Sequence, residues 1–555
     1  MDNSRLFLIM ALALVSMLLW EAWQEDYVIP KQQAQAIQAG KVDSIVDTPD
    51  APINASIDTP AGQALPSLPK TTNTANDLNS HLIKVVTDTF DMRIDTRGGS
   101  IVDVKLIQYP VSADTPEIKY HLMSQRPSDY FITQSGLLGA EKTRTPTHEA
   151  IFSSSANSYE LAENADEMVV DLVWSNDSGL SVTKRYTFTR NNHLVTLQHI
   201  VNNNSQTTWT GREYRQFQRG EPAESGGNMF MYTYTGAAVF SEEDKYQKFD
   251  FSDLLEGQPN IDTKDGWIAM IQHYFLGAFI PPRIEPQHFY GKQLANGRYV
   301  VGSYTQAKTV NAGEQAIFEG GLFIGPKLNR QLEQLANGLD LTVDYGWLAM
   351  IAKPMHWVLN WINDYTSNWG WTIIIFTIMI KLVFFKLSET SYKSMANMRK
   401  MSPRIQALKD RFGDDKQRMQ AAMMELYKKE KINPLGGCLP MLIQIPFFIS
   451  LYWVLLENVD MRQAPWIFWL KDLSIKDPYF VLPVIMSLSM VVQQRLNPAP
   501  PDPMQAKIMM FLPLVFGIMF AFFPSGLVLY WVVNNLLSIS QQWVITRRIE
   551  AGDKS

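Results

Sequence analysis

The sequence predicts a multi-domain membrane protein: an α-helical bundle of six transmembrane helices joined to a large antiparallel β-sandwich outside the bilayer. Three observations carry that prediction. At 555 residues the chain is too long for one compact domain. Long apolar runs gather in residues 347–545, whereas residues 25–345 are polar with short ones. That polar part holds no cysteine, because the one cysteine is Cys438, so an internal disulfide is excluded and an oxidising compartment would find no thiol there. The net charge of −6 and the 46% hydrophobic content average over this split.

Taken in chain order, residues 6–20 form an apolar run behind Arg5. The exit, Leu19-Trp20-Glu21-Ala22-Trp23, lacks the small residues a signal peptidase needs, so residues 1–24 are expected to be an uncleaved anchor with Trp20 and Trp23 at the outer interface. Residues 25–80, rich in Gln, Ala, Asp, Thr, Pro and Asn without an apolar period, read as a disordered linker. In residues 81–340 the signal changes to strands. Residues 168–174 alternate, Asn176-Asp177-Ser178-Gly179 turns, residues 180–189 alternate with Tyr186 and Phe188 on one face, and Asn191-Asn192 turns again before residues 194–201. Arg97-Gly98-Gly99-Ser100 separates two earlier runs. Such repetition predicts the sandwich.

Residues 341–366 are expected to be an interfacial helix, since Lys353, Pro354, His356 and Asn360 interrupt its apolar positions. Five spanning candidates follow, at residues 369–385, 435–456, 479–492, 508–523 and 525–545; the third of these is short and contains Pro483. As domains, residues 367–387 hold the second transmembrane helix, 388–434 a cytoplasmic helical hairpin, 435–545 helices three to six, and 546–555 a tail. Residues 386–431 carry twelve Lys/Arg against six Asp/Glu, residues 457–478 carry three against four, and the tail adds Arg547 and Arg548. Basic connections stay in the cytoplasm, which places both termini inside and the sandwich outside.

The residue most foreign to its surroundings is Lys381, roughly 15 Å below Trp371 at helical rise. An ammonium at that depth costs about 2.5–3.5 kcal/mol on insertion scales and commonly faces a wet cavity; the alternative is that it snorkels to the surface beside Lys386. Thr377 stands one turn earlier, Gln444 in the third span, and Trp531, Asn534, Asn535 and Ser538 in the last. Such residues can simply glue helices, at about 0.6 kcal/mol each. Spans two to six contain no Asp or Glu, however, so the lysine is expected to face a hydrated groove awaiting an acidic visitor.

In the hairpin, Ser388 to Met401 carries Met395, Met398 and Met401 on one helical flank. Ser402-Pro403 starts the next helix, and Asp414 or Asp415 caps a further one bearing Met419, Met423 and Met424. These methionines either pack the helices together or present an adaptable greasy surface ringed by positive charge. Leu435-Gly436-Gly437-Cys438 mimics a lipoprotein box, but it is internal and follows a charged segment. No phosphate-binding G-x-x-x-x-G-K-[ST], no G-x-S-x-G, no H-E-x-x-H and no cysteine cluster occurs, and the eight histidines are scattered. A secondary transporter would show inverted repeats and a coupling carboxylate. An envelope carbohydrate enzyme would need paired carboxylates in a cleft of the sandwich.

Gly325-Pro326-Lys327, Asp344-Tyr345-Gly346-Trp347, Asn433-Pro434-Leu435-Gly436-Gly437-Cys438, Gln444-Ile445-Pro446, Asp502-Pro503-Met504 and Phe523-Pro524-Ser525-Gly526-Leu527 together resemble the YidC/Oxa/Alb insertase family in its Gram-negative long form. The resemblance spans essentially the whole chain. It implies a multi-pass inner-membrane protein with a periplasmic sandwich, no enzymatic activity, no cofactor and no metal. The implied function is to insert and chaperone nascent membrane proteins, moving their hydrophobic segments into the bilayer through a hydrophilic groove open to cytoplasm and lipid, alone or with the Sec translocon. Implied groove residues are Lys381, Thr377, Gln444, Trp531, Asn534 and Ser538; the hairpin methionines receive substrate; Ile445, Phe448, Phe511 and Phe516 form an apolar slide. By position before Tyr392-Lys393-Ser394-Met395, Lys381 stands where the family usually has arginine, so the charge persists without the bidentate fork. Trp531 stands where relatives more often carry tyrosine. Implied partners are nascent membrane proteins, the ribosome, the Sec translocon, the signal-recognition-particle receptor and membrane lipids, without nucleotide or direct DNA binding.

Overall fold

The computed structural model describes residues 81–139, 145–221, 233–282, 285–412, 415–430, 439–497 and 503–552; the anchor of residues 1–24 and the linker of residues 25–80 lie outside them. Between Leu82 and Pro326 the described residues form two sheets, one of eleven and one of nine strands. Strict alternation sets the inner faces. In Leu180–Thr189 the buried residues are Leu180, Val182, Lys184, Tyr186 and Phe188, and the antiparallel neighbour Leu194–Asn203 buries Val195, Leu197, His199 and Val201. One pairing departs from the antiparallel rule: Leu82–Val86 runs parallel to Ser158–Glu160 at a sheet edge. The turn at Gly98 requires glycine, since φ is 69° and a Cβ would overlap the His148 carbonyl.

The sandwich core carries buried polar groups. Glu213 accepts from His199 Nδ1 at 2.7 Å and from Arg215 Nε and Nη2 at 2.8 and 2.6 Å. Lys184 Nζ donates to the Gly98 and Ser135 carbonyls at 2.7 and 3.2 Å. Burial pushes the Lys184 ammonium down to about 7, whereas Arg215 and His199 outweigh burial at Glu213 and hold its carboxyl at about 2.

Past the sandwich come α1 (Asn329–Leu335), α2 (Ala349–Thr366), α3 (Trp369–Val383), α4 (Phe385–Lys400), α5 (Ser402–Phe412), α6 (Lys416–Lys429), α7 (Leu439–Glu457), α8 (Val481–Leu496), α9 (Pro503–Phe520) and α10 (Ser525–Gly552). One continuous core runs from Trp267, Leu276 and Phe323 of the nine-stranded sheet, through Leu332 and Leu359, to Ile373, Val454 and Leu527 of the helices. The junction also has a polar lock. Lys327 pairs with Glu457 at the end of α7 at 2.6 Å, both side chains 3% exposed, and Lys327 donates to the Thr342 carbonyl at 3.2 Å. Gln463 and Arg462, beyond α7, donate to the Pro110 and Val111 carbonyls at 2.6 and 3.1 Å.

Among the described residues no single helix is long and apolar enough to cross a membrane; α3 joined to residues 385–398 of α4 reaches that length, bent by 67°. Helix length alone therefore does not fix the number of crossings. The bend ends α3 at Val383, two residues earlier than expected. The basic segment divides into three helices at Ser402 and Asp415. It is α5 and α6 that pack on each other, joined by Arg404–Glu430 at 2.6 Å, whereas α4 packs along α10 and α7. Small Ser391, 3% exposed, lies buried on α4.

Two predictions arise here. Glu457→Ala strands a buried ammonium and should destabilise the junction by about 3–5 kcal/mol, while Lys327→Met combined with Glu457→Leu should recover most of the loss. Thermal unfolding of the detergent-solubilised protein measures both, and a wild-type-like Glu457→Ala would contradict the lock. Burial pushes His148 and His193 down to about 4. Their folded values lie below the unfolded value of about 6.5, so the unfolded chain takes up the extra protons. Stability is fully present above about 6.5 and is lost as pH falls toward 4, by roughly 3 kcal/mol per histidine. Unfolding followed between pH 7 and 4.5 should show a shallower acid slope in the His148→Gln, His193→Gln double variant than in the native protein.

Candidate functional site

Asn368 starts α3 by accepting from Trp371 N at 3.2 Å, and Gly370 lets the Trp466 ring lie against the first turn. The helix then carries Lys381 into its last turn, where unpaired carbonyl dipoles favour a cation. Its Nζ donates to Ser538 Oγ on α10 at 2.8 Å. Ser538 Oγ in turn donates to the Asn534 carbonyl at 2.7 Å, and Gln444 of α7 donates to Asn534 Oδ1 at 2.9 Å. Three helices thus meet in one polar thread. Among the described residues no carboxylate pairs with Lys381.

Lys381, Gln444, Asn534 and Ser538 therefore come together. Thr377 does not join them: it is buried and donates to the Ile373 carbonyl of its own helix at 2.6 Å. A threonine one turn from the lysine shares its face, but back-bonding to the preceding turn occupies its proton. Trp531 packs edge-on against Phe448 and Phe520 with centroids 4.8 and 5.4 Å apart, and its buried Nε1 finds no acceptor among the described residues. Asn535 lies apart, donating to Ser489 of α8 at 3.1 Å, a helix-to-helix tie.

Two residues went unnoticed in the sequence. Tyr530 stacks on Phe448 with its hydroxyl at Gln444, and the Tyr392 hydroxyl reaches Ser538. Tyr530 stands four residues before Asn534, so helical spacing from the polar set could have found it.

The other expected residues lie elsewhere. Met395 and Met398 lie half-buried on α4, and Met401 is buried where α4 meets α5. On α6, Met419 and Met423 are half-buried and Met424 is exposed. The two groups therefore sit on different helices, and only the second belongs to the packed α5–α6 pair. Of the apolar slide, Ile445 and Phe511 are exposed, whereas Phe448 and Phe516 are partly buried in the helical core. Around them α9 exposes Met510, Leu514, Val515 and Ile518, and α8 exposes Val484 and Leu488. Contiguous apolar surface on that scale suits lipid rather than water.

The arrangement can attract an anion beside a greasy surface. Among the described residues it has no paired acid and base, no activated nucleophile and no gathered metal ligands.

Residues 82–358 match the family described as the YidC periplasmic domain, and residues 361–552 that described as the 60Kd inner membrane protein. The membrane protein insertase YidC of Thioalkalivibrio sulfidiphilus is 48% identical over 569 residues, covering 100% of both chains. That of Methylococcus capsulatus is 48% identical over 551 residues, covering 99% of each. A solved structure described as an active YidC insertase with the first transmembrane domain resolved covers 83% of this chain and 92% of its own, at 21% identity and a TM-score of 0.38.

Proposed function

Because the chain belongs to the YidC family of membrane protein insertases, inner-membrane proteins with a periplasmic domain, we propose that its polar thread at Lys381 is the point at which substrate leaves water. The observation that carries this reading is the lysine itself: a cation among apolar helices whose hydrogen-bond partner is a neutral serine. Insertion is transfer rather than bond-making, so the site needs charge and shape instead of an acid–base pair.

In this reading the chain crosses the membrane six times with both termini cytoplasmic, α2 lying in the outer surface and the α5–α6 pair projecting into the cytoplasm. The methionines of α6 meet an emerging apolar segment, with the ribosome, the Sec translocon and the signal-recognition-particle receptor as docking partners. The polar, often acidic leading segment enters a hydrated groove lined by Lys381, Gln444, Asn534 and Ser538. At about 4 Å and an effective dielectric near 20, a carboxylate gains roughly 4 kcal/mol from the ammonium before desolvation is subtracted. The apolar segment then leaves along Ile445 and Phe511 into lipid. Burying about 20 apolar residues supplies the drive without nucleotide.

Lys381→Glu should lower insertion of substrates with acidic translocated tails by about tenfold or more, since a net 1.4 kcal/mol already corresponds to tenfold. Lys381→Ala should lower it less, and Lys381→Arg should preserve it. Protease protection of translocated tails in proteoliposomes measures all three. Native-level insertion by the glutamate variant would remove the charge-attraction step.

A further inference from the structure

We propose that the cavity between α1 and α2 is a binding site for a zwitterionic phosphoethanolamine headgroup, carried by a phospholipid whose tails lie along the aromatic stripe of α2. The cavity, of about 450 Å³, is lined by Arg330 of α1, by Asn360, Asn363 and Asp364 of α2, by Trp369 at the start of α3, and by Asp460 in the turn after α7. That volume falls in the range of small-ligand sites.

Its charges select the ligand. One guanidinium faces two carboxylates, so a purely anionic headgroup meets net repulsion and a purely cationic one wastes the arginine. A phosphate on Arg330 with an ammonium toward Asp364 and Asp460 satisfies all three. Arg330 and Asp364 already approach at 3.1 Å, yet they are 67% and 55% exposed, an exposed pair worth little and easily opened by a ligand. Trp369 adds an aromatic surface for an ammonium. His356 also lines the cavity, and burial pushes it down to about 4, so it contributes no charge at neutral pH. Among the described residues no three acidic, histidine or cysteine groups gather as metal ligands, which separates the site from a cation site.

The tails follow from the helix itself. Around α2 the buried face is Ala352, Met355, Leu359 and Ile362, and the exposed apolar stripe is Met350, Trp357, Trp361 and Tyr365. At 100° per residue, Asn360, Asn363 and Asp364 occupy the arc between the two. A headgroup in the cavity therefore emerges beside tryptophan and tyrosine, the residues that favour headgroup depth.

The proposal rests on the reading that lays α2 in the outer membrane surface, but not on Lys381. Purified full-length protein in nanodiscs of equal parts phosphatidylethanolamine, phosphatidylglycerol and phosphatidylcholine, released into the gas phase, reports which lipid stays bound. Phosphatidylethanolamine should be retained about tenfold over the other two, because phosphatidylglycerol lacks an ammonium and phosphatidylcholine cannot donate from its own. Arg330→Ala and Asp364→Asn, both exposed and foldable positions, should each abolish that preference while leaving Lys381-dependent insertion unchanged. Equal retention of the three lipids, or a preference untouched by both variants, would overturn the assignment. Free phosphoethanolamine binding as tightly as the whole lipid would move the ligand to a soluble zwitterion and equally overturn it.

Discussion

A positive charge held among apolar helices, with a hydroxyl as its one partner among the described residues, is the constraint around which the helical half of this protein is arranged. Lys381 is tolerable there for two physical reasons: it occupies the last turn of its helix, where carbonyl dipoles point at it, and Ser538 accepts from it. Neither reason neutralises the charge. The other buried lysines show what neutralisation looks like. Lys327 has Glu457 at 2.6 Å, and Lys184 is surrounded by backbone carbonyls and lies within the field of Glu213. Lys327 and Lys184 are thus compensated in the junction and the sandwich, whereas among the described residues the bonded partner of Lys381 is a neutral hydroxyl.

The same contrast explains the division of labour between the two halves. The sandwich docks through a continuous apolar core and a dry ion pair, an arrangement that resists relative motion. Around Lys381 the polar ties between helices are single hydrogen bonds, each worth little. In the proposed mechanism a passing segment parts such bonds without unfolding the bundle.

Much of the fold was legible because period-2 alternation and turn chemistry are local. The strands flanking Asn176 and Asn191 fall where their side chains placed them, and the inward face of Leu180–Thr189 follows from parity, Lys184 included. The pattern of α2 was likewise readable. The break after Val383 was not, because Phe384 and Phe385 continue the apolar run with neither proline nor glycine to mark a bend. That hidden kink leaves Lys381 in the last turn of α3. The charge of α4 suggested a cytoplasmic arm; its packing on α10 and α7 is a tertiary effect that composition does not carry. Of the residues singled out in the sequence, Lys381, Gln444, Asn534 and Ser538 share one hydrogen-bonded thread, whereas Thr377 bonds its own helix, since rotamer and back-bonding are not written in helical periodicity.

In the proposed mechanism water reaches Lys381 from the cytoplasmic side. Single cysteines at positions 444 and 538, placed one at a time in a Cys438→Ser background, report this directly when inverted membrane vesicles are treated with a charged, membrane-impermeant maleimide. The account predicts labelling at both positions at rates approaching that of a cysteine on α6. Two inert positions beside a reactive α6 control would mean a dry thread, and the hydrated entry beside Lys381 would be refuted.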